Sequence, residues 1–571
     1  MAIATAILLG PVIPGAAAVR PSATAQRDRR VTLFYTAEVH GAVEPCGCTS
    51  DPLGDVSRLA ALVADARRTG ASVALVDAGG LLYPDGAVSA KERQAADLRA
   101  EFLAVEYERI GLLGAALGET DAIAGAPHVH PPRLASNLDA PAGFIRPPRV
   151  EKLGGMAIGV LGIADPAVAS AVGSKARDPS EAAKRDVQTL RRAGAEVVVL
   201  LAAVDKSAAR KLARDAGPDI LVVGKRVGAG MARPERIGRT LLVASGEEMQ
   251  RVGRLDIVLR TNPTGATEAT TELQDAGGPA ATRLRQEEIG RDLERLRVGL
   301  LQWTRKPQPQ GGSSADDGTD RAFVAAKERE RAELEAERVR LEIPWTPPAT
   351  GNYVVNSLVP LRRSLRRDLQ VVAAMKKLDQ RIAAVNLKHA TPPAPPEPGR
   401  PFYVGMDKCA SCHASANAFW KRTVHAHAWK TLVEGGKQAD YKCIGCHVTA
   451  FGEVGGASLG FTKKLESVQC ETCHGPGSAH VAGEGNEQPL AVKRDVREST
   501  CIGCHTEQHS DTFQFEPYLR DIVGPGHGQK RREKLGTGVT GHDLRSAALA
   551  KAKIAGGSSG AADPGGAVKK M

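Results

Sequence analysis

The pentapeptide Cys-x-x-Cys-His occurs four times in the last third of this chain, as Cys409-Ala-Ser-Cys412-His413, Cys443-Ile-Gly-Cys446-His447, Cys470-Glu-Thr-Cys473-His474 and Cys501-Ile-Gly-Cys504-His505. Two thiols at this spacing form thioethers with the vinyl groups of a haem, and the adjacent His reaches back to the iron. The other chemistry open to paired cysteines is a zinc ribbon. A ribbon does not account for a His at the same offset each time. The motifs therefore predict four covalently attached haem c groups, with His413, His447, His474 and His505 as proximal iron ligands.

Further His residues follow or separate these motifs: His425, His427, His480, His509, His527 and His542. His480 lies six residues beyond His474, too close to reach the opposite face of the same haem, so it is expected to serve a neighbouring one. His427, His480 and His527 are the leading distal candidates, followed by His425 and then His509.

The rest of the composition is that of a soluble, multidomain chain. The 571 residues contain ten Cys; the motifs take eight and leave Cys46 and Cys48, so there is no disulfide framework. The formal charge of +11 could mark an acidic partner, but haem propionates offset it. No aromatic-interleaved basic patch suited to single strands is present, and nucleic-acid binding is not expected. Ala2 to Val19 is rich in Ala, Ile and Leu and is followed by small residues up to Ala25. It reads as an export signal without a basic start. Pro11 and Pro14 argue against a membrane span, so membrane association is expected only through this segment. Export agrees with covalent haem attachment and places the protein in the periplasm or otherwise outside the cytoplasm.

Strands are predicted at Val31–Tyr35, Val73–Val76, Ala157–Gly162, Val197–Leu201, Ile220–Val223, Leu241–Ala244 and Leu255–Leu259. Helical patterns lie between several of them, as at Val56–Arg68 and Ala95–Ile110, which predicts a layered α/β domain. Farther on, Leu284, Ile289, Leu293, Leu296 and Leu300 predict an amphipathic helix, Gln308–Asp320 a break, and Ala322–Leu341 a charged, solvated helix. Leu358 through Val385 keeps three-and-four spacing and predicts another helix; Pro392–Pro398 is a stiff linker. The expected division is a signal segment at 1–26, an α/β domain at 27–262, a helical spacer and linker at 263–400, a mostly α or irregular haem domain at 401–530, and a disordered tail at 531–571.

Two resemblances add to this reading. Between the haem motifs, Ala418-Phe419-Trp420-Lys421, Thr423-Val424-His425-Ala426-His427-Ala428 and Cys470-Glu471-Thr472-Cys473-His474-Gly475-Pro476-Gly477-Ser478-Ala479-His480 resemble the cytochrome c554 family of multihaem cytochromes. That resemblance implies mostly bis-His haems with one open site. In the first domain, Leu33 to Gly41, Val76-Asp77-Ala78-Gly79-Gly80, Ala116 to Asp121 and Leu134-Ala135-Ser136-Asn137-Leu138 resemble the metal-dependent 5'-nucleotidases, a branch of the calcineurin-like phosphoesterases. Those enzymes hold two metal ions on bridging carboxylate, His, Asn and Asp. This chain departs at nearly every ligand. Glu38 replaces the first Asp, although His40 is kept. Gly80 stands at the bridging Asp, and Glu119 and Thr120 replace Asn-His. Ala202-Ala203 and Gly224-Lys225-Arg226-Val227 stand where later His ligands are expected. The resemblance thus implies the phosphoesterase fold without its two-metal site.

Glu44-Pro45-Cys46-Gly47-Cys48 follows His40 at the mouth of that vacated site. Cys-x-Cys is too tight for an unstrained disulfide. Three readings stay open: inert cysteines in a turn, a redox thiol pair, or one metal ion held by Glu38, His40, Cys46 and Cys48. The sequence thus predicts an exported tetrahaem cytochrome that passes electrons to and from redox proteins, other cytochromes or quinone-linked complexes. It is fused to a degenerate nucleotidase-like domain that docks a partner or performs thiol or metal redox chemistry. Electron transfer or oxidoreduction is favoured over hydrolysis. The alternatives are a working phosphoester hydrolase with a haem passenger, or a haem oxidoreductase acting on a small nitrogen or sulfur compound.

Overall fold

The structure, a computed structural model, describes residues 28–45, 47–124, 133–139, 144–260, 272–277, single positions between 282 and 300, and residues 316–340, 348, 350–486, 492–506 and 508–556. The expected signal segment, Cys46 and Leu284 lie outside these residues; of the amphipathic pattern, Ile289, Leu293, Leu296 and Leu300 are helical, and Ile289 is buried. Among the described residues no helix is long and apolar enough to cross a membrane.

The first domain is a sandwich of two six-stranded sheets. In space, one sheet runs Gln274–Asp275, Tyr353–Pro360, Arg251–Leu259, Arg29–Thr36, Ser72–Asp77 and Leu112–Ala115. The other runs Glu235–Ile237, Thr240–Val243, Ile220–Val223, Val197–Ala203, Met156–Ala164 and Arg149–Leu153. The central strands are apolar on both faces because both faces are covered. Along Val197–Ala203, Val197, Val199 and Leu201 meet Val31, Leu33 and Ile257 between the sheets. Val198 and Leu200 point the other way, onto Val187, Leu190 and Leu212 of the helices Pro179–Arg192 and Lys206–Ala216. The first sheet is covered by helices Val56–Arg68, Arg93–Ile110 and Leu369–Lys388. Asp55, Asp178, Asp205 and Asp368 cap four of these helices, each side chain accepting backbone N–H groups of the first turn.

The seven predicted strands are all present, five of them two to four residues longer than expected. The spacer boundary is corrected. Tyr353–Pro360 pairs antiparallel with Arg251–Leu259, Leu358 opposite Gly253. The helix begins only at Leu369, and its Val371, Met375, Leu378 and Ile382 complete the outer core of the first sheet. Leu358 is therefore a strand residue, and the first domain extends past residue 262 to take in 353–388. The tail is corrected too. Gln529–Leu535 and Gly541–Gly556 are helices, and Gly541 packs close to Tyr518 on the helix Phe515–Ile522. The charged helix expected at 322–341 is present as Asp316–Arg340.

Gly253 faces Tyr35 across the ladder, and a Cβ there would fall 1.9 Å from the Tyr35 ring. The ring is fully buried, and its hydroxyl donates to Asn356 Oδ1 at 2.7 Å, so it has nowhere to move. Gly253→Ala is expected to destabilise the domain by about 3 kcal/mol, read as a lower urea midpoint.

The haem-motif region has few apolar side chains of its own. One small cluster, with Leu432, Ile444, Val448 and Leu459, serves as its protein core. The rest is short helices joined by Gly- and Pro-containing turns.

Candidate functional site: a haem-ligand cluster against a closed phosphoesterase-like mouth

Each motif sits at a short helical turn or at its end, so the thiols and the His project from one local frame. Cys470–His474 is itself a helix. Behind it, the buried Glu471 carboxylate accepts the N–H groups of Val404, Gly405 and Gly477 at 2.7 to 3.1 Å. That gives a physical role to the acidic residue inside the third motif, since it ties the first and third motifs together. Cys409 and Cys470 lie within hydrogen-bonding reach of each other, as do Cys446 and Cys504. The motifs are thus paired, first with third and second with fourth.

Three of the four motif imidazoles have Nδ1 occupied. His447 Nδ1 donates to the Ala428 carbonyl at 2.6 Å and His474 Nδ1 to the Lys493 carbonyl at 2.7 Å, while His505 Nδ1 lies 2.9 Å from Ser510 Oγ. A carbonyl partner fixes the Nδ1–H tautomer and leaves Nε2 with a lone pair for a metal.

Two of these rings are faced by a second imidazole. His413 and His480 have centroids 6.2 Å apart at an interplanar angle of 18°. His425 and His505 have centroids 6.1 Å apart. Metal–imidazole bonds of about 2 Å on opposite sides, plus about 1 Å from each nitrogen to its ring centre, give a centroid separation of about 6 Å. Both centroid gaps thus match the separation that one iron held between two imidazoles would need. His527 is near enough to His474 to lower its own pKa, though burial is the larger cause. Burial and the neighbouring His505 push His425 down to about 4, and burial lowers His505. These imidazoles are neutral near pH 7, the form that ligates. Among the described residues no second imidazole faces His447. His427 is exposed, whereas His425 is partly buried. Both lie on one short 3-10 turn, Val424–His427, and of the two it is the His425 ring that lies beside His505.

At the mouth of the first domain, the polar side chains are committed to one another. Glu38 accepts the Arg226 and Val227 N–H groups at 2.7 and 2.8 Å. Lys225 Nζ sits between Glu119 and Asp165 at 2.8 and 2.9 Å. The backbone has also closed in: a Cβ at Gly118 would fall 2.1 Å from the Gly80 nitrogen, and Gly80 itself has φ +76°. His40 donates its backbone N–H to the Gly80 carbonyl at 2.8 Å. Beneath, Asp121 accepts from Gly80, Leu82 and Gly118, with the fully buried Arg133 3.5 Å away. Among the described residues no group of three His, Cys, Asp or Glu side chains is arranged to hold a metal ion.

The two regions meet. Arg99 pairs with Asp440 at 2.6 Å, both nearly buried. Burial alone would raise the Asp440 pKa, but Arg99 and the Lys442 N–H hold it below the usual carboxylate range. Lys437 pairs with Glu44 at 2.5 Å and Asp379 at 2.6 Å, and Asn386 donates to the Ala439 carbonyl at 2.8 Å. Ser50 N–H donates to Asp511 at 3.0 Å, and Arg545 donates to the Cys48 carbonyl at 2.5 Å. The segments held are the lead into the second motif, residues just after the fourth, and both ends of the loop that carries Cys48. No motif or periodicity in the chain signals this contact.

Residues 408–475 match the family described as cytochrome c554 and c-prime. Cytochrome c-554 of Nitrosomonas europaea is 37% identical over 91 residues, a stretch covering 13% of this chain and 39% of that protein. The chain thus spans well under half of that relative's length. Among solved structures, a 5'-nucleotidase precursor from Thermus thermophilus is similar with a TM-score of 0.41 and 17% identity, over 62% of this chain and 59% of that one. The calcineurin-like phosphoesterase YfkN from Bacillus subtilis gives 0.34 and 17%, over 43% and 89%. Reduced cytochrome c554 from Nitrosomonas europaea gives 0.16 and 24%, over 26% and 80%. The C-terminal region is thus similar to cytochrome c554 over residues 408–475, and the layered α/β domain is similar in fold to 5'-nucleotidases and calcineurin-like phosphoesterases.

Proposed function

We propose that this chain is an exported tetrahaem c-type cytochrome that relays electrons, and that its first domain delivers electrons to the relay rather than hydrolysing phosphoesters. The observation that carries the reading is the pair of facing imidazoles, His413 with His480 and His425 with His505, each at the centroid separation that one iron held between two imidazoles would need. Haem c supplies one-electron transfer at its iron. The chain's own residues attach it through the eight motif cysteines and orient the proximal imidazoles through their Nδ1 partners. On this reading His480, His425 and His527 would be the second ligands for the irons held by His413, His505 and His474, and His447, with no facing imidazole among the described residues, would hold an iron open to a further ligand.

Against hydrolysis stand the commitments at the mouth of the first domain. Lys225 places an ammonium between two carboxylates, and Glu38 is taken up by backbone N–H groups. In favour of electron delivery stands the contact of the Cys48 loop with the segments around the second and fourth motifs. The donor to the relay is then a substrate engaged at Cys46 and Cys48, and the acceptor is another redox protein.

Low-temperature EPR of the oxidised holoprotein, with haem quantified in parallel, tests the relay. The expected result is about four haems per chain, about three low-spin and about one high-spin. Fewer haems, or four high-spin signals, would overturn it. Cys46→Ser with Cys48→Ser tests the delivery: substrate-driven haem reduction is expected to vanish while reduction by dithionite persists. Unchanged substrate-driven reduction would remove the first domain from the electron path.

A further inference from the structure

The three motif imidazoles with an Nδ1 partner differ in the kind of partner they have. His447 and His474 meet backbone carbonyls at 2.6 and 2.7 Å, whereas His505 meets the Ser510 hydroxyl at 2.9 Å. A carbonyl is fixed in direction and only accepts. A hydroxyl rotates about its C–O bond and both donates and accepts. Ser510 is buried, and its hydroxyl lies 3.5 Å from that of Tyr518, which shares a 2.7 Å hydrogen bond with Thr512. The His505 ring is itself held, stacked on Phe513 at 4.8 Å and edge-on to Tyr518 at 5.3 Å. The adjustable part of this arrangement is therefore the serine and not the imidazole.

The next residue ties that serine to the first domain. The Asp511 carboxylate accepts the Ser50 N–H at 3.0 and 3.2 Å and the Ser50 hydroxyl as well. Ser50 stands two residues beyond Cys48, whose carbonyl accepts from Arg545. A chain of covalent and hydrogen bonds thus runs from the Cys48 loop through Ser50, Asp511 and Ser510 to Nδ1 of His505.

We propose that Ser510 is a positioning residue that sets the reduction potential of the iron held by His505, and that the Cys48 loop acts on that potential through Ser50 and Asp511. The inference rests on the haem relay proposed above. An imidazole that shares its Nδ1 proton with an acceptor is a more basic ligand and favours ferric iron. Weakening the acceptor favours ferrous iron. The first domain thereby reaches the relay through a hydroxyl whose direction it holds.

The test is an EPR-monitored redox titration of the full-length holoprotein. Ser510→Ala is expected to favour the ferrous state of one haem about tenfold, an upward midpoint shift of about 59 mV for a one-electron couple. Haem content and the other midpoints stay unchanged. Ser510→Thr keeps the hydroxyl and is expected to restore the parent midpoint. Ser50→Ala alters no charge and lies in the first domain, so it reads the link even where Ser510→Ala fails to fold. It is expected to move the same midpoint upward by about threefold in the equilibrium, and to add nothing in the Ser510→Ala background. Unchanged midpoints in Ser510→Ala or Ser50→Ala, a Ser510→Thr shift as large as that of Ser510→Ala, or additive shifts in the double variant would each overturn the proposal. A parent protein with too few haems would instead overturn the relay reading, before any variant is compared.

Discussion

His425→Ala is expected to convert one low-spin haem to high-spin, whereas His427→Ala leaves the spectrum of the oxidised protein unchanged. The two residues lie on a single turn, and only the His425 ring faces His505, at 6.1 Å. If His425 is the second iron ligand proposed above, removing it would take away that ligand and leave the His505 bond and both thioethers. The high-spin EPR intensity is then expected to rise from about one haem equivalent to about two, with haem content unchanged. The reverse pattern, loss of low-spin signal in His427→Ala only, would return the distal role to His427. A loss of haem in both variants would mean that the turn is needed for attachment and not for ligation.

Asp77→Asn is expected to flatten the pH dependence of the first domain's stability. Asp77 is fully buried, and its pKa is raised to about 7, first by loss of solvent and then by the neighbouring Asp121. The Thr36 hydroxyl at 2.6 Å, Arg133 and the Gly79 N–H at 2.9 Å pull the other way without prevailing. An unfolded aspartate ionises near 3.9. Between about 4 and about 7 the native state therefore holds a proton that the unfolded chain has released. Stability is greatest below the unfolded value, declines as pH rises toward 7, and is level above it. The span corresponds to roughly 2–4 kcal/mol. Urea midpoints at pH 5 and pH 8 would show the decline in the parent and its loss in Asp77→Asn. An equal decline in both would assign the dependence to other groups.

The strands of the first domain could be read because doubly covered strands must be apolar along their whole length. Val197–Ala203 and Ile220–Val223 carry that pattern without interruption. Tyr353–Pro360 escapes for a physical reason: its leucine continues, by accident of spacing, the helical repeat of the segment behind it, and its partner strand ends near residue 259. Gly541–Gly556 reads as a tail because the stretch from Gln529 onward is rich in Lys, Gly, Ala and Ser; its order comes from packing on Phe515–Ile522 and from Arg545 reaching the Cys48 carbonyl. In the haem region the attachment chemistry is local in sequence, so all four motifs are legible. Which distal imidazole faces which proximal one depends on the direction of a turn, and two His separated by one residue do not encode it.

The position of Tyr353–Pro360 in the first sheet also decides where the chain can be divided. The strand Arg251–Leu259 is paired on one side with Arg29–Thr36 and on the other with Tyr353–Pro360. A fragment ending before Tyr353 would leave that second side as an open β edge, the kind of surface on which chains pair with their neighbours. A cut that leaves the α/β sandwich whole therefore falls after Lys388, beyond the helix that completes its outer core, and not at the end of Arg251–Leu259.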